Sequence, residues 1–324
     1  MLTLINNYLE QNWKQIVPSI PKTDNLKFLL MSGGLARNLK ATFLVFTDKP
    51  TPLIIVRIAD DACGKDYIRQ EYNNLTTLSN KYQMSNAAPQ ALHLTEIENH
   101  LLLFQSCVNG TLLLKHKQFD LFAQTCDWLF TFHLKTKQDS ISRESYIQNI
   151  KTQIDLIAKS IEISPELREL FAEIHKKCDK LPKGITVLSH NDFSPRNIMI
   201  GRDGRVSGVI DWEYAQPQGM PLRDLYHLAG YYYPAKGHNE LLANFQRTFF
   251  EQNSFSSLVR EKIISYCNTL ELDIASVELF FWLYLILPME ESIRLSMPYF
   301  PLWKGKLFVL ESLVKQRHNL KFIL

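Results

Sequence analysis

The chain has 324 residues, 46% hydrophobic and 21% charged, with a formal net charge of +3. That length can bury a sizeable core and suggests two domains or lobes, the composition excludes a disordered polymer, and the small net charge gives no argument for nucleic acid or an anionic membrane surface as partner. The five cysteines (Cys63, Cys107, Cys126, Cys178 and Cys267) show no Cys-x-x-Cys pair and no histidine at zinc-ligand spacing, so reduced thiols in a cytoplasmic protein are expected. Residues 1–10 carry no basic region followed by an apolar stretch, which reads as no secretory signal.

In chain order, the first third alternates short β-like runs with turns. Phe28 to Met31 is apolar, Ser32-Gly33-Gly34 follows, and Thr42 to Phe46 and Leu53 to Ile58 flank the turn Asp48-Lys49-Pro50. Between Lys65 and Asn80, Tyr67, Ile68, Tyr72, Leu75 and Leu78 recur at helical spacing. Leu101 to Phe104 is a further strand. Beyond Gly110 helices dominate: Phe119 to Thr136, Tyr146 to Lys159, Pro165 to Lys180, and most of the chain from Asn239 onward. One β-like interruption lies between Ile185 and Ile210. The run Leu279 to Leu287 is too short to cross a bilayer, which takes about 20 residues, and reads as a buried core helix.

Residues 189–213 carry the most chemistry. His190-Asn191-Asp192-Phe193-Ser194-Pro195-Arg196-Asn197 leads into the strand Ile198-Met199-Ile200. A turn at Gly201-Arg202-Asp203-Gly204 returns the chain through Val206 to Ile210, ending in Asp211-Trp212-Glu213. A hairpin draws the ends of its two strands together, so Asp192, Asn197 and Asp211 form a set of oxygen donors suited to a hard cation. Phosphoryl transfer needs little more: a positioned hydroxyl, a held magnesium ion and neutralised phosphate charge.

His-x-Asp-x-x-x-x-Asn, then an apolar strand, then Asp-Trp-Glu, resembles the aminoglycoside phosphotransferase and choline kinase family, a branch of the protein-kinase-like fold. The resemblance implies an α+β, two-lobed fold with a small antiparallel-sheet N-lobe and a larger, mostly helical C-lobe. It places the N-lobe at 1–106, a hinge at 107–110 and the C-lobe at 111–324. It implies ATP and Mg2+ as cofactors and a small-molecule hydroxyl acceptor as partner, with no nucleic acid and no membrane. Asp192 then takes the catalytic place, Asn197 and Asp211 look like magnesium ligands, and His190 braces the loop.

The same resemblance assigns the upstream parts. Ser32, Gly33, Gly34 and Asn38 fall at the family's nucleotide loop, where small residues let backbone N–H groups approach phosphate oxygens. Arg57 stands where protein kinases place a strand lysine, and Glu71 matches the helix carboxylate that pairs with it. Ser106 and Val108 fall in Gln105 to Gly110, the segment whose backbone groups would read the adenine edge. Asp224, in Pro-x-x-Asp-Leu, braces the catalytic loop, and His133 packs in the core. Arg196 is expected to supply the charge that protein kinases carry two residues after the catalytic aspartate, where this chain has Ser194.

The acceptor site is expected in the C-terminal helices. Glu290, Glu291, Trp282, Tyr284, Tyr299 and Trp303 either line it or only pack, and a sugar or amino alcohol is weakly favoured over a polycationic antibiotic. A protein kinase fits less well, because only 13 positions separate Asp211 from Asp224 and no Ala-Pro-Glu follows. A nucleotide-binding pseudokinase ranks behind an enzyme, because Asp192, Asn197 and Asp211 are all present.

Overall fold

Eleven α-helices and ten β-strands follow one another among the residues that the computed structural model describes: 1–23, 25–32, 40–116, 118–138, 142–181, 184–233, 240–294 and 303–320. The order is α1 (Leu2–Ile16), β1 (Lys27–Ser32), β2 (Ala41–Phe46), β3 (Ile54–Ala59), α2 (Ala62–Asn80), β4 (Ala91–Ile97), β5 (His100–Ser106), β6 (Thr111–Leu112), α3 (Phe119–Thr136), α4 (Arg143–Ser160) and α5 (Pro165–Cys178). Then come β7 (Val187–Ser189), β8 (Ile198–Ile200), β9 (Val206–Val209), β10 (Gln216–Gly219), α6 (Arg223–Tyr232), α7 (Glu240–Phe245), α8 (Ser254–Leu270), α9 (Val277–Ile286), α10 (Pro288–Arg294) and α11 (Trp303–Val314). The chain divides into two units, one of residues 1–113 with 197–215, the other of 114–196 with 216–324.

In the first unit, five antiparallel strands pair in the order β1-β2-β3-β5-β4. Strand side chains alternate between faces, and β3 uses both. Ile54, Val56 and Ile58 join a buried cluster with Ile5, Leu9, Trp13 and Ile16 of α1. On the other face Ala59 packs with Ile68 of α2 and with Leu101 and Leu103 of β5. Each large apolar side chain so covered contributes about 1.5–3 kcal/mol. Arg57, odd in the alternation, therefore points to the face that α2 covers. The N-terminus of α2 is fixed by Asp61, whose carboxylate accepts the Gly64 N–H at 2.8 Å.

A second ladder in this unit, β6-β8-β9, holds the expected hairpin. Ile198 pairs with Val209, the Gly204 N–H reaches the Gly201 carbonyl at 3.0 Å, and Gly204 turns at φ 76°. Only glycine takes that conformation without steric cost, so the glycine at position 204 closes the turn.

In the second unit, β7 and β10 form a short antiparallel pair, and the other elements among its described residues are helices. Helix α9 is buried nearly all round, with Leu279, Phe281, Trp282, Leu283 and Ile286 at 2% exposure or less. An all-apolar helix of this kind belongs in a core. Among the described residues no helix is long and apolar enough to cross a membrane, and no disulfide joins the five cysteines.

Candidate active site

In the first unit, one face of α2 presents Glu71 and, one turn on, Asn74. Asn74 Nδ2 donates to the carbonyls of Trp212 and Ala215 at 2.8 and 3.0 Å, which ties the Asp211 loop to the helix. Trp212 anchors the same loop through its indole N–H, which donates to the Val209 carbonyl at 2.7 Å. Asp211 itself sits at φ 69°, a left-handed conformation uncommon for a residue with a Cβ and concentrated at functional sites.

Around Arg57 these elements assemble an ion cluster. Its Nε lies 3.1 Å from Glu71 Oε2, and its Nη1 donates to Asp211 Oδ1 at 2.8 Å and to Glu213 Oε2 at 3.4 Å. Lys40 pairs with Glu213 on the far side. Glu71 is 1% exposed and Asp211 29%, so the cluster grades from buried to accessible. Burial works against the charge of Arg57, and Glu71 and Asp211 outweigh it and hold the guanidinium above its ordinary value. Burial pushes the Glu71 carboxyl up, Arg57 draws it back, and Asp211 adds to the rise. Lys40 is lowered to about 8 by burial first and by Arg57 second.

The carboxylates of Glu71, Asp211 and Glu213 offer ligand atoms within 4.8 Å of one another. Three acids against two bases leave one surplus negative charge, and the donors are hard oxygens, which fits a divalent cation such as Mg2+. Asn197 lies beside this loop: it is buried, and its carbonyl accepts the Ile210 N–H at 2.8 Å.

In the second unit the loop after β7 is held by one buried carboxylate. Asp224 accepts the His190 N–H at 2.7 Å, the Asn191 N–H at 2.9 Å and the Ser189 hydroxyl at 3.1 Å, with His133 Nε2 at 3.2 Å. Burial alone would raise its pKa, but these donors outweigh burial and hold it at about 2. His190 turns back on the loop, and its Nδ1 accepts the Asp192 N–H at 3.3 Å. Asp192 stays partly exposed, and His227 Nε2 lies 3.0 Å from its Oδ1. The other ring nitrogen of His227 meets the Tyr284 hydroxyl at 3.2 Å, and its ring stacks on Tyr231 at 4.5 Å. Burial keeps the Tyr284 phenol protonated. That arrangement allows the phenol O–H to donate to Nδ1 and the Nε2–H to donate to Asp192.

Arg57, Glu71 and Asp211 are thus drawn together, and Asn197 lies beside the Asp211 loop. Asp192 lies in the other unit with Arg196, which is exposed and whose charge is felt at Tyr231. Ser32 ends β1, while Gly33, Gly34, Asn38 and Tyr299 lie outside the described residues. Ser106 engages Gln90 twice, donating its N–H at 2.9 Å and accepting the Gln90 N–H on its hydroxyl at 2.8 Å. Trp282 is buried in the core, Tyr284 serves His227, and Glu290 and Glu291 sit partly exposed on α10.

Sequence reasoning missed Lys40, Glu213 and His227 as site residues. Glu213 was visible beside Asp211, but nothing local showed that it faces two cations. His227 follows Asp224 by three positions on an amphipathic helix, where a histidine carries no signal of its own.

The sequence model of the phosphotransferase enzyme family matches residues 36–257. No curated protein sequence matches the chain significantly. Among solved structures, the chain is similar to an aminoglycoside 2′-phosphotransferase variant bound to GDP (TM-score 0.57, 17% identity, covering 97% of this chain and 98% of that one). It is similar to an ethanolamine kinase from Plasmodium vivax (TM-score 0.55, 14% identity, 97% and 90% covered) and to a choline kinase from Streptococcus pneumoniae (TM-score 0.52, 14% identity, 95% and 99% covered). These likenesses establish the kinase-like α+β fold, with its antiparallel-sheet N-terminal part and larger helical C-terminal part.

Proposed function

The chain belongs to the phosphotransferase enzyme family, and from that premise we propose that it moves the γ-phosphoryl group of ATP to a hydroxyl of a small molecule with the help of Mg2+. The observation that carries this reading is the chain of ion pairs Glu71–Arg57–Asp211. It joins a strand cation, a helix carboxylate and the aspartate of the Asp-Trp-Glu loop, which is the set that phosphate positioning requires.

Each residue then has a role. Arg57, oriented by Glu71, grips phosphate oxygens with its planar fork. Asn197 and Asp211 would hold Mg2+, with Glu213 beside them, and Lys40 adds charge at the end of the segment containing Gly33, Gly34 and Asn38, the candidates to approach the phosphates. Mg2+, when bound, neutralises the phosphates and orients the transferring group. Asp192 orients the acceptor hydroxyl and takes its proton as that oxygen bonds to the γ-phosphorus and the bond to the bridging oxygen of ADP breaks. Arg196 supports the developing charge. Val108 is the backbone candidate for the adenine edge, while Ser106, engaged with Gln90, shapes the strand end. The GDP in the similar aminoglycoside phosphotransferase structure is in keeping with nucleotide use.

A ligand that binds only the native state raises the unfolding temperature. Mg-ATP raises that of the wild type, and the magnesium-dependent part of the rise disappears in Asp211→Asn. No shift in the wild type would contradict nucleotide binding.

A further inference from the structure

Helix α6 opens with Arg223, and His227 stands one turn later. Residues four apart on a helix share a face with Cβ atoms about 5–6 Å apart. His227 holds the Asp192 carboxylate at 3.0 Å, so Arg223 begins one helical turn from the histidine that positions that carboxylate.

The surroundings of Arg223 are unusual. Its Nε is withdrawn from water and finds no hydrogen-bond acceptor, and no hydrogen bond or ion pair engages the guanidinium among the described residues. The charged and titratable groups that face it are Asp224, Tyr284, Glu291 and Lys306. Asp224 is engaged by the loop donors and His133, and the Tyr284 hydroxyl by His227. Lys306, on α11, donates to Ser292 Oγ at 2.7 Å and to the Pro288 carbonyl at 3.3 Å, which adds no negative charge. Arg223 therefore faces the carboxylates of Asp224 and Glu291 and shares the second with Lys306. Burial draws the proton affinity of each cation below its ordinary value, and for Lys306 the neighbouring Arg223 adds to the effect. Arg223 also sits at the N-terminal end of α6, where the helix dipole favours a negative charge.

A guanidinium whose Nε–H is out of water with no acceptor is costly to keep, and its planar fork is suited to a planar anion. We propose that Arg223, assisted by Lys306, recognises an anionic group of the acceptor, so that the preferred acceptor is a hydroxyl compound bearing a carboxylate or a phosphate. This inference rests on the phosphotransferase reading above.

Three probes share one carbon frame: sorbitol, gluconate and sorbitol 6-phosphate, with choline as a cationic control. ADP release is followed with each, and gluconate and the phosphate ester separate the two anion chemistries. The expected result is a kcat/KM for one anionic probe at least about tenfold above sorbitol and choline, falling to within about threefold in Arg223→Gln and reduced in Lys306→Gln. Sorbitol or choline used equally well, or a preference that survives in Arg223→Gln, overturns the proposal.

Should no probe be phosphorylated, calorimetric titration of the same compounds into protein loaded with Mg-ADP decides on the same criterion. Anion binding lost in Arg223→Gln supports the proposal, and its absence in the wild type overturns it. The two readings separate cleanly. Turnover of sorbitol or choline as efficient as that of the anionic probes, and abolished in Asp192→Asn, leaves phosphoryl transfer standing and overturns the anion rule. Anion binding that depends on Arg223, without turnover of any acceptor, does the reverse. Thermal unfolding of Arg223→Gln is a further readout: removing an unsatisfied buried N–H leaves the midpoint unchanged or raised, whereas a structural role for Arg223 would lower it.

Discussion

The imidazole Nε2 of His227 lies 3.0 Å from Oδ1 of Asp192, and its Nδ1 lies 3.2 Å from the Tyr284 hydroxyl. The histidine therefore ties the candidate catalytic carboxylate to a buried phenol and fixes its rotamer. Its role is positioning, since it acts through Asp192. His227→Ala is expected to lower kcat about tenfold or more with KM within about threefold, and His227→Gln, which keeps a donor, to recover most of the loss. An unchanged kcat in His227→Ala would remove His227 from the mechanism.

Lys40 gives a stability signature at alkaline pH. Its folded pKa is about 8 against an ordinary 10.5. Between those values the unfolded chain holds more protons at this residue than the folded one. The contribution of Lys40 to stability therefore rises with pH across that window. Urea midpoints of the wild type and Lys40→Met, compared at pH 7 and pH 10, test this: the wild type gains relative to the variant on going to pH 10. Parallel changes in the two would contradict a lowered Lys40.

Asp224 gives the opposite signature. Its folded pKa is about 2 against an ordinary 3.8, so its stabilisation is complete above the unfolded value and is lost as pH falls through the folded one. Asp224→Asn leaves donors on His190 and Asn191 facing an amide, and is expected to cost about 3–5 kcal/mol at neutral pH. The variant also loses the wild type's slope between pH 4 and pH 2. Denaturant unfolding at these pH values measures both, and a neutral-pH loss below about 1 kcal/mol would contradict the brace.

Much of the first unit's site was legible because its spacing is local. Asn197 and Asp211 bracket a hairpin whose Gly204 requires a left-handed turn, and glycine marks that need in sequence. Helix α3 runs from Phe119 to Thr136 as its periodicity predicts. Strand β4 was not legible: all its apolar residues are only partly buried, so no alternation marks it. Helix α1 has Ile5, Leu9, Trp13 and Ile16 at helical spacing but neither a side-chain cap nor an acidic first turn, and the end signals that identify short helices are missing. Glu213, Lys40, His227 and Arg223 were invisible as site residues for another reason. Their meaning lies in distant partners, such as Glu213 for Lys40, 173 positions away, and Asp192 for His227, 35 positions away, and no local pattern encodes such partners.

The central claim is tested most directly by following ADP formation from Mg-ATP over a panel of hydroxyl acceptors, comparing the wild type with Asp192→Asn. The account predicts acceptor-dependent ADP release by the wild type that falls at least about 100-fold in the variant, while both proteins retain Mg-ATP binding. Acceptor-dependent release that persists undiminished in Asp192→Asn would contradict it.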